Sequence, residues 1–211
     1  MLTLWSGVLS SNAAKVRIVL GEKGLDYEVR NLSWTRANAW GEKPADFLAV
    51  SPRAQVPVLI DGDLVIHDST VINEYLEERY PEPALMPADP AARARCRLWE
   101  DEADDQQRHL AIIIRDVYRQ PPGTPVSAEA AAASAAVSRY LDRLDAAIGD
   151  KDTVCDSFSM ADISTLIAVT FAQTLGIAVT QENVVRWFAT VSQRPVAQAE
   201  IEAMMVAAAA A

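Results

Sequence analysis

Hydrophobic positions alternate between the strand and helix periods along the first 80 residues. Residues 2–6 (LTLWS) read as a strand, and from about 11 to 23 Ala13, Val16, Val19 and Leu20 recur at helical spacing, with Gly24 as the stop. LDYEV at 25–29 alternates and predicts a second strand. A Trp-containing stretch follows, then a short helix near 43–49 that opens on KPADFL. Strands at 56–60 and 63–66 flank Asp61-Gly62, a hairpin dipeptide. After Asp68, the residues Val71, Ile72, Tyr75 and Leu76 mark one face of a helix that ends before Pro81. The expected order is βαβαββα.

PEPALMPADP (81–90) carries four prolines in ten residues and reads as a break. Beyond it the strand signals vanish. Val137, Tyr140, Leu141, Leu144 and Ile148 mark one amphipathic helix, and Ile163, Leu166 and Ile167 another. SMAD at 159–162 is an S-x-x-D helix start. The pattern therefore predicts an α/β domain over 1–80, a linker over 81–89 and an all-helical domain over 90–211.

One stretch, AQVPVLIDGDLVIHDST (54–70), resists a purely structural account. Pro57 interrupts an apolar run, although proline lacks the N–H that a central strand needs. Eleven residues later, Asp68-Ser69 opens a helix. A turn proline and an ordinary N-cap explain each feature separately. A carboxylate and a hydroxyl at a helix start also suit a ligand, because unpaired N–H groups and the positive dipole end gather there.

Composition narrows the class. The 211 residues carry a net charge of −10, and the pI is about 4.7, which argues against a nucleic-acid partner. No apolar run approaches the roughly 20 residues that span a bilayer, so no membrane association is expected. MLTLWSG reads as a strand and not as a secretory leader, and only Cys96 and Cys155 are present, which predicts a reducing, cytoplasmic setting. His67 and His109 are the only histidines, too few for a His/Cys metal pattern. The acidic run EDEADD (100–105) predicts a solvated helix face.

SSNAAKVRIVLGEKGLDYE, AQVPVLIDGDLVIHDSTVINEYLEERYP and DSFSMADI together resemble, in this order and spacing, the cytosolic glutathione S-transferases. The likeness spans nearly the whole chain and is nearest to serine-type theta, zeta and bacterial etherase-like members. It implies a thioredoxin-like domain, an all-α domain, glutathione as co-substrate, no metal and a homodimer. It further implies that Pro57 is cis, and that the Val56 backbone pairs with the tripeptide as an added strand. Asp68 then accepts from the γ-glutamyl ammonium, Ser69 holds its carboxylate, Lys43 meets the glycine carboxylate, and Gln55 meets the tripeptide backbone.

The likeness also implies which groups favour the thiolate. A free thiol near pKa 8.5 is only a few per cent ionised at neutral pH. The hydroxyl position falls on Ser10, with Ser11 and Asn12 as competitors. Zeta-class isomerases carry cysteine where this chain has Asn12, and a basic residue near Thr174; both departures argue against maleylacetoacetate isomerisation. A small apolar electrophile would meet Val8, Leu9, Leu110, Ile114 and Tyr118 between the domains. The implied function is a detoxifying transferase. Its rivals are a non-catalytic interaction module of the same fold, or a glutathione-dependent isomerase, dehalogenase or etherase.

Overall fold

β1 (Leu2–Ser6) runs parallel to β2 (Tyr27–Asn31) and antiparallel to β3 (Val58–Asp61), which pairs antiparallel with β4 (Leu64–His67). The sheet order is β2-β1-β3-β4 in a computed structural model that describes residues 1–34, 40–119 and 123–210, excepting the side chains of 117–119 and 210. A parallel pair needs a crossover; α1 (Ser11–Glu22) supplies it. The β3–β4 turn places Gly62 at φ +59, where a side chain is disfavoured. α2 (Ala45–Val50) and α3 (Ser69–Arg79) complete the βαβαββα order.

β1 and β3 are the buried strands, with Leu4, Val58 and Leu59 fully enclosed, whereas β2 is largely exposed at the sheet edge. Beside them Trp5, Leu32, Phe47 and Val58 form a cluster, with the Trp5 and Phe47 rings 5.2 Å apart. This cluster anchors α2 and so fixes the segment leading to Pro57. β2 begins two residues later than the alternation of LDYEV suggests, because its register is set by pairing Leu2 with Tyr27. β3 begins at Val58, after Pro57.

The chain divides into two compact units, Met1–Leu85 with Pro195–Ala211, and Met86–Arg194. The last helix, α8 (Pro195–Ala210), therefore joins the first unit instead of the helical part with which its pattern groups it. It packs on α1, and Val196 comes so close to Gly21 that a Cβ there would lie 2.6 Å from Val196 Cγ1. Residues 81–85, read as linker, are fastened down too. The Lys23 ammonium donates to the carbonyls of Tyr80 (2.7 Å) and Pro83 (3.0 Å) and pairs with Glu77 at 2.7 Å. The Glu77 carboxylate accepts from the Leu85 N–H at 3.1 Å.

The second unit consists of α4 (Pro90–Arg119), α5 (Ala128–Ile148), α6 (Met160–Thr174) and α7 (Glu182–Val191). α4 packs against α5 and α6, and α5 against α7. Ser159 and Asp162 form the capping box that SMAD predicts. The Asp162 carboxylate also accepts from the Val154 N–H at 2.8 Å and the Trp187 Nε1–H at 2.9 Å, tying the preceding loop and α7 to the start of α6. The EDEADD segment departs from expectation. Asp101 and Asp105 are exposed, but Glu100 and Ala103 face inward at 1% exposure, because positions three apart share one helix face.

Candidate glutathione groove

Two helix starts and one turn build the candidate site in the first unit. At the start of α1, Ser10 is the N-cap, with φ −87 and ψ 112. Its Oγ accepts from the Ala13 N–H at 3.2 Å, and its own N–H donates to the Gly7 carbonyl at 2.9 Å. A hydroxyl that accepts one bond still has its proton to donate. Ser10 is 9% exposed; Ser11 and Asn12 follow it in half-buried positions.

At the start of α3, Asp68 is the N-cap, accepting from the Thr70 N–H at 3.0 Å and the Val71 N–H at 3.4 Å. Its φ of +74 lies in the left-handed region, which Asp and Asn tolerate better than most side chains. Ser69 opens the helix and is buried.

The turn between α2 and β3 is held from within. Ser51 Oγ accepts from the Gln55 N–H and donates to the Gln55 carbonyl, both at 3.0 Å. The Ala54 N–H donates to the Ser51 carbonyl at 2.8 Å, and Lys43 Nζ donates to the Ala54 carbonyl at 2.6 Å. The Val56–Pro57 peptide bond is cis.

These pieces face one open groove. Asn12 of α1, Gln55, Val56 and Pro57 of the turn, and Asp68 and Ser69 of α3 line it together. Ser51, Arg53 and His67 complete the lining. Of the three candidates at the start of α1, Asn12 reaches the groove wall, while Ser10 turns its oxygen toward the Ala13 amide. Lys43 is engaged by the Ala54 carbonyl, and Arg53 is the cation in the lining. Sequence reasoning passed over Arg53, although its place in the turn just ahead of Pro57 was a usable signal. His67 entered only as one of two histidines, too few for a metal pattern.

The residues expected at the electrophile lie on separate segments. Val8 and Leu9 are half-buried in the loop before α1. Leu110 is buried on α4, Ile114 is half-buried, and the Tyr118 side chain lies outside the described residues. Among the described residues, no group of three or more His, Cys, Asp or Glu side chains is placed to hold a metal, and no helix is long and apolar enough to cross a membrane.

The arrangement is polar, with the Asp68 carboxylate at one helix start and the Arg53 guanidinium, opposite in charge, in the same lining. Comparison with known proteins identifies the family. Residues 6–84 match the family "Glutathione S-transferase, N-terminal domain", and residues 108–195 match "Glutathione S-transferase, C-terminal domain". The chain is 30% identical to Glutathione S-transferase 3 of Zea mays, covering 96% of this chain and 94% of that one. It is 37% identical to a Stringent starvation protein A homolog of Coxiella burnetii, covering 77% of this chain and 71% of the relative. Among solved structures, the theta class glutathione S-transferase of Xanthomonas axonopodis pv. citri, with glutathione bound, superposes with a TM-score of 0.83 at 28% identity, covering 95% and 96% of the two chains. With a thioredoxin-like first unit and a helical second one, this chain belongs to the cytosolic glutathione S-transferase family.

Proposed function

We propose that the groove binds glutathione and that the chain is a glutathione transferase, presenting the bound thiolate to a small apolar electrophile by substitution or addition. The observation that carries this reading is convergence: Asn12, Val56-Pro57 and Asp68-Ser69, from three separate segments, line one groove. In the proposed complex the tripeptide lies extended along Val56, pairing with its backbone as an extra strand. Asp68 accepts from the γ-glutamyl ammonium, and Ser69 with the α3 N-terminus receives its carboxylate. Gln55 contacts the tripeptide backbone. Arg53 takes the glycine carboxylate, a role that Lys43 supports by fixing the Ala54 carbonyl.

Ser10 is the thiolate-stabilising donor in this reading. Its oxygen accepts from Ala13, which polarises the hydroxyl that it offers to sulfur. Bringing the two reactants together supplies the remaining rate enhancement. A second reading gives the role to the Asn12 amide, and its place in the groove wall favours it. Substrate pocket contacts fall to Val8 and Leu9 in the adjoining loop. The enzyme works in the cytoplasm, in keeping with the free thiols of Cys96 and Cys155. It works as a two-fold homodimer, supported by exposed Leu64, Val65 and Val71 in the first unit; sedimentation at the mass of one chain would contradict that.

The test compares Ser10→Ala, Ser11→Ala and Asn12→Ala in the pH dependence of conjugation to a chlorinated nitroaromatic. Ser10→Ala is expected to raise the apparent thiol pKa by about one unit with glutathione affinity largely kept. If Asn12→Ala alone does so, the amide is the donor. An unmodified chain that is neither retained on immobilised glutathione nor active refutes the transferase reading.

A further inference from the structure

Arg17, in the middle of α1, spends its guanidinium on two targets. Toward α8, Nε donates to Glu200 Oε2 at 3.0 Å and Oε1 at 3.1 Å, and Nη2 also donates to Oε1. Toward the loop before α1, Nη1 donates to the Gly7 carbonyl at 3.1 Å and to Ser6 Oγ, and Nη2 donates to the Val8 carbonyl at 3.2 Å. The two charged side chains are only 12% and 11% exposed. Such a pair resists loss of either partner, because the survivor is left as a poorly solvated charge.

The carbonyls it grips belong to the residues just before Leu9 and Ser10. The Gly7 carbonyl that Arg17 holds also accepts the Ser10 N–H at 2.9 Å. A path of polar contacts thus runs from α8 through Glu200, Arg17 and Gly7 to Ser10, and on through Ser10 Oγ to Ala13. Tyr27 on β2 feels both charges; burial pushes its phenol up, so it stays neutral around pH 7.

We propose that Arg17 and Glu200 are positioning residues for thiol activation, which makes the last helix of the chain a working part of the glutathione site. They touch no substrate. They fix the Gly7–Ser10 loop so that the Ser10 hydroxyl stands at the sulfur, whereas the part of the binding groove that residues 51–69 form is built without them. The assignment rests on the glutathione reading above. It predicts a specific split: weakening the pair disturbs ionisation of the bound thiol and kcat, and leaves glutathione affinity nearly intact.

The full chain tests this as Glu200→Gln, Arg17→Lys, Ser10→Ala and the Ser10→Ala/Glu200→Gln double variant. The ultraviolet thiolate band of bound glutathione is titrated, affinity is measured by calorimetry, and thermal unfolding checks the fold. Glu200→Gln is expected to raise the apparent thiol pKa by about 0.5–1 unit, with less than about a threefold change in Kd. In the Ser10→Ala background it should add nothing, since residues acting as one unit are non-additive. Arg17→Lys, which cannot span both targets, should reproduce the shift if Glu200→Gln does not fold. An unchanged pKa, an additive shift, or unfolding of both single variants overturns the positioning role. No thiolate with the unmodified chain overturns the glutathione reading itself, and this assignment with it.

Discussion

Asp68 performs one task in the fold and is assigned another in the complex, and a single substitution separates them. In the fold its Oδ1 caps α3 by accepting from Thr70 and Val71. Asn keeps a side-chain oxygen, ranks with Asp as an N-cap and tolerates the φ of +74, so Asp68→Asn should change stability by less than about 0.5 kcal/mol. In the proposed complex the carboxylate accepts from the γ-glutamyl ammonium. Hydrogen bonds between charged groups contribute about 1.5–3 kcal/mol, and Asp68 is exposed, so the low end applies. Asp68→Asn should therefore weaken glutathione binding about tenfold. Calorimetry with glutathione and with an analogue lacking that ammonium provides the assay: parent and variant should bind the analogue equally. Thermal unfolding, run in parallel, reports the cap. Binding of glutathione by Asp68→Asn within about twofold of the parent would refute the ammonium contact. A marked loss of melting temperature would refute the claim that Asn preserves the cap.

Asp162→Ala removes the acceptor of the Val154, Ser159 and Trp187 donors from a buried site, and should cost about 3–5 kcal/mol in chemical denaturation; a loss under about 1 kcal/mol would contradict the geometry. Burial pushes the Asp162 carboxyl above its ordinary 3.8, against the pull of its hydrogen bonds, so the folded chain keeps this proton to higher pH than the unfolded chain does. That contribution is complete below the ordinary value and is lost as pH rises through the native one, so the stability advantage of the parent over Asp162→Asn should shrink as pH climbs through that window, and a widening gap would reverse the sign. Gly7→Ala would put a Cβ within 2.6 Å of Trp40 Cη2, a ring packed on the Trp5–Phe47 cluster, and should cost about 1–3 kcal/mol in the same assay; no change would mean that the ring moves freely.

Local chemistry made the caps and the hairpin turn legible in the sequence. The Asp61-Gly62 turn, the Ser10 and Asp68 caps and the Ser159–Asp162 box are each decided by groups a few residues apart, and each stands where its residue types indicate. Once α1 and α3 start at those caps and Pro57 precedes β3, the short connections leave little freedom in how the groove is lined. Elements fixed by pairing were read less well. β2 is an exposed edge strand whose own pattern is weak, so its register came from β1.

What the sequence by itself determined was the order of elements and the helix starts on either side of the groove. The tertiary structure alone decided that α8 returns to the first unit, that Glu100 turns inward, that Arg53 lines the groove while Lys43 braces its turn, and that Arg17 meets a carboxylate 183 residues away. The physical reason is range. A cap or a turn is settled by the hydrogen bonds of one short peptide, whereas an alanine-rich helix such as α8 carries little in its own pattern to name its partner. That choice is made by chain closure, by the close approach that Gly21 permits, and by the need of a sheltered guanidinium for an anion.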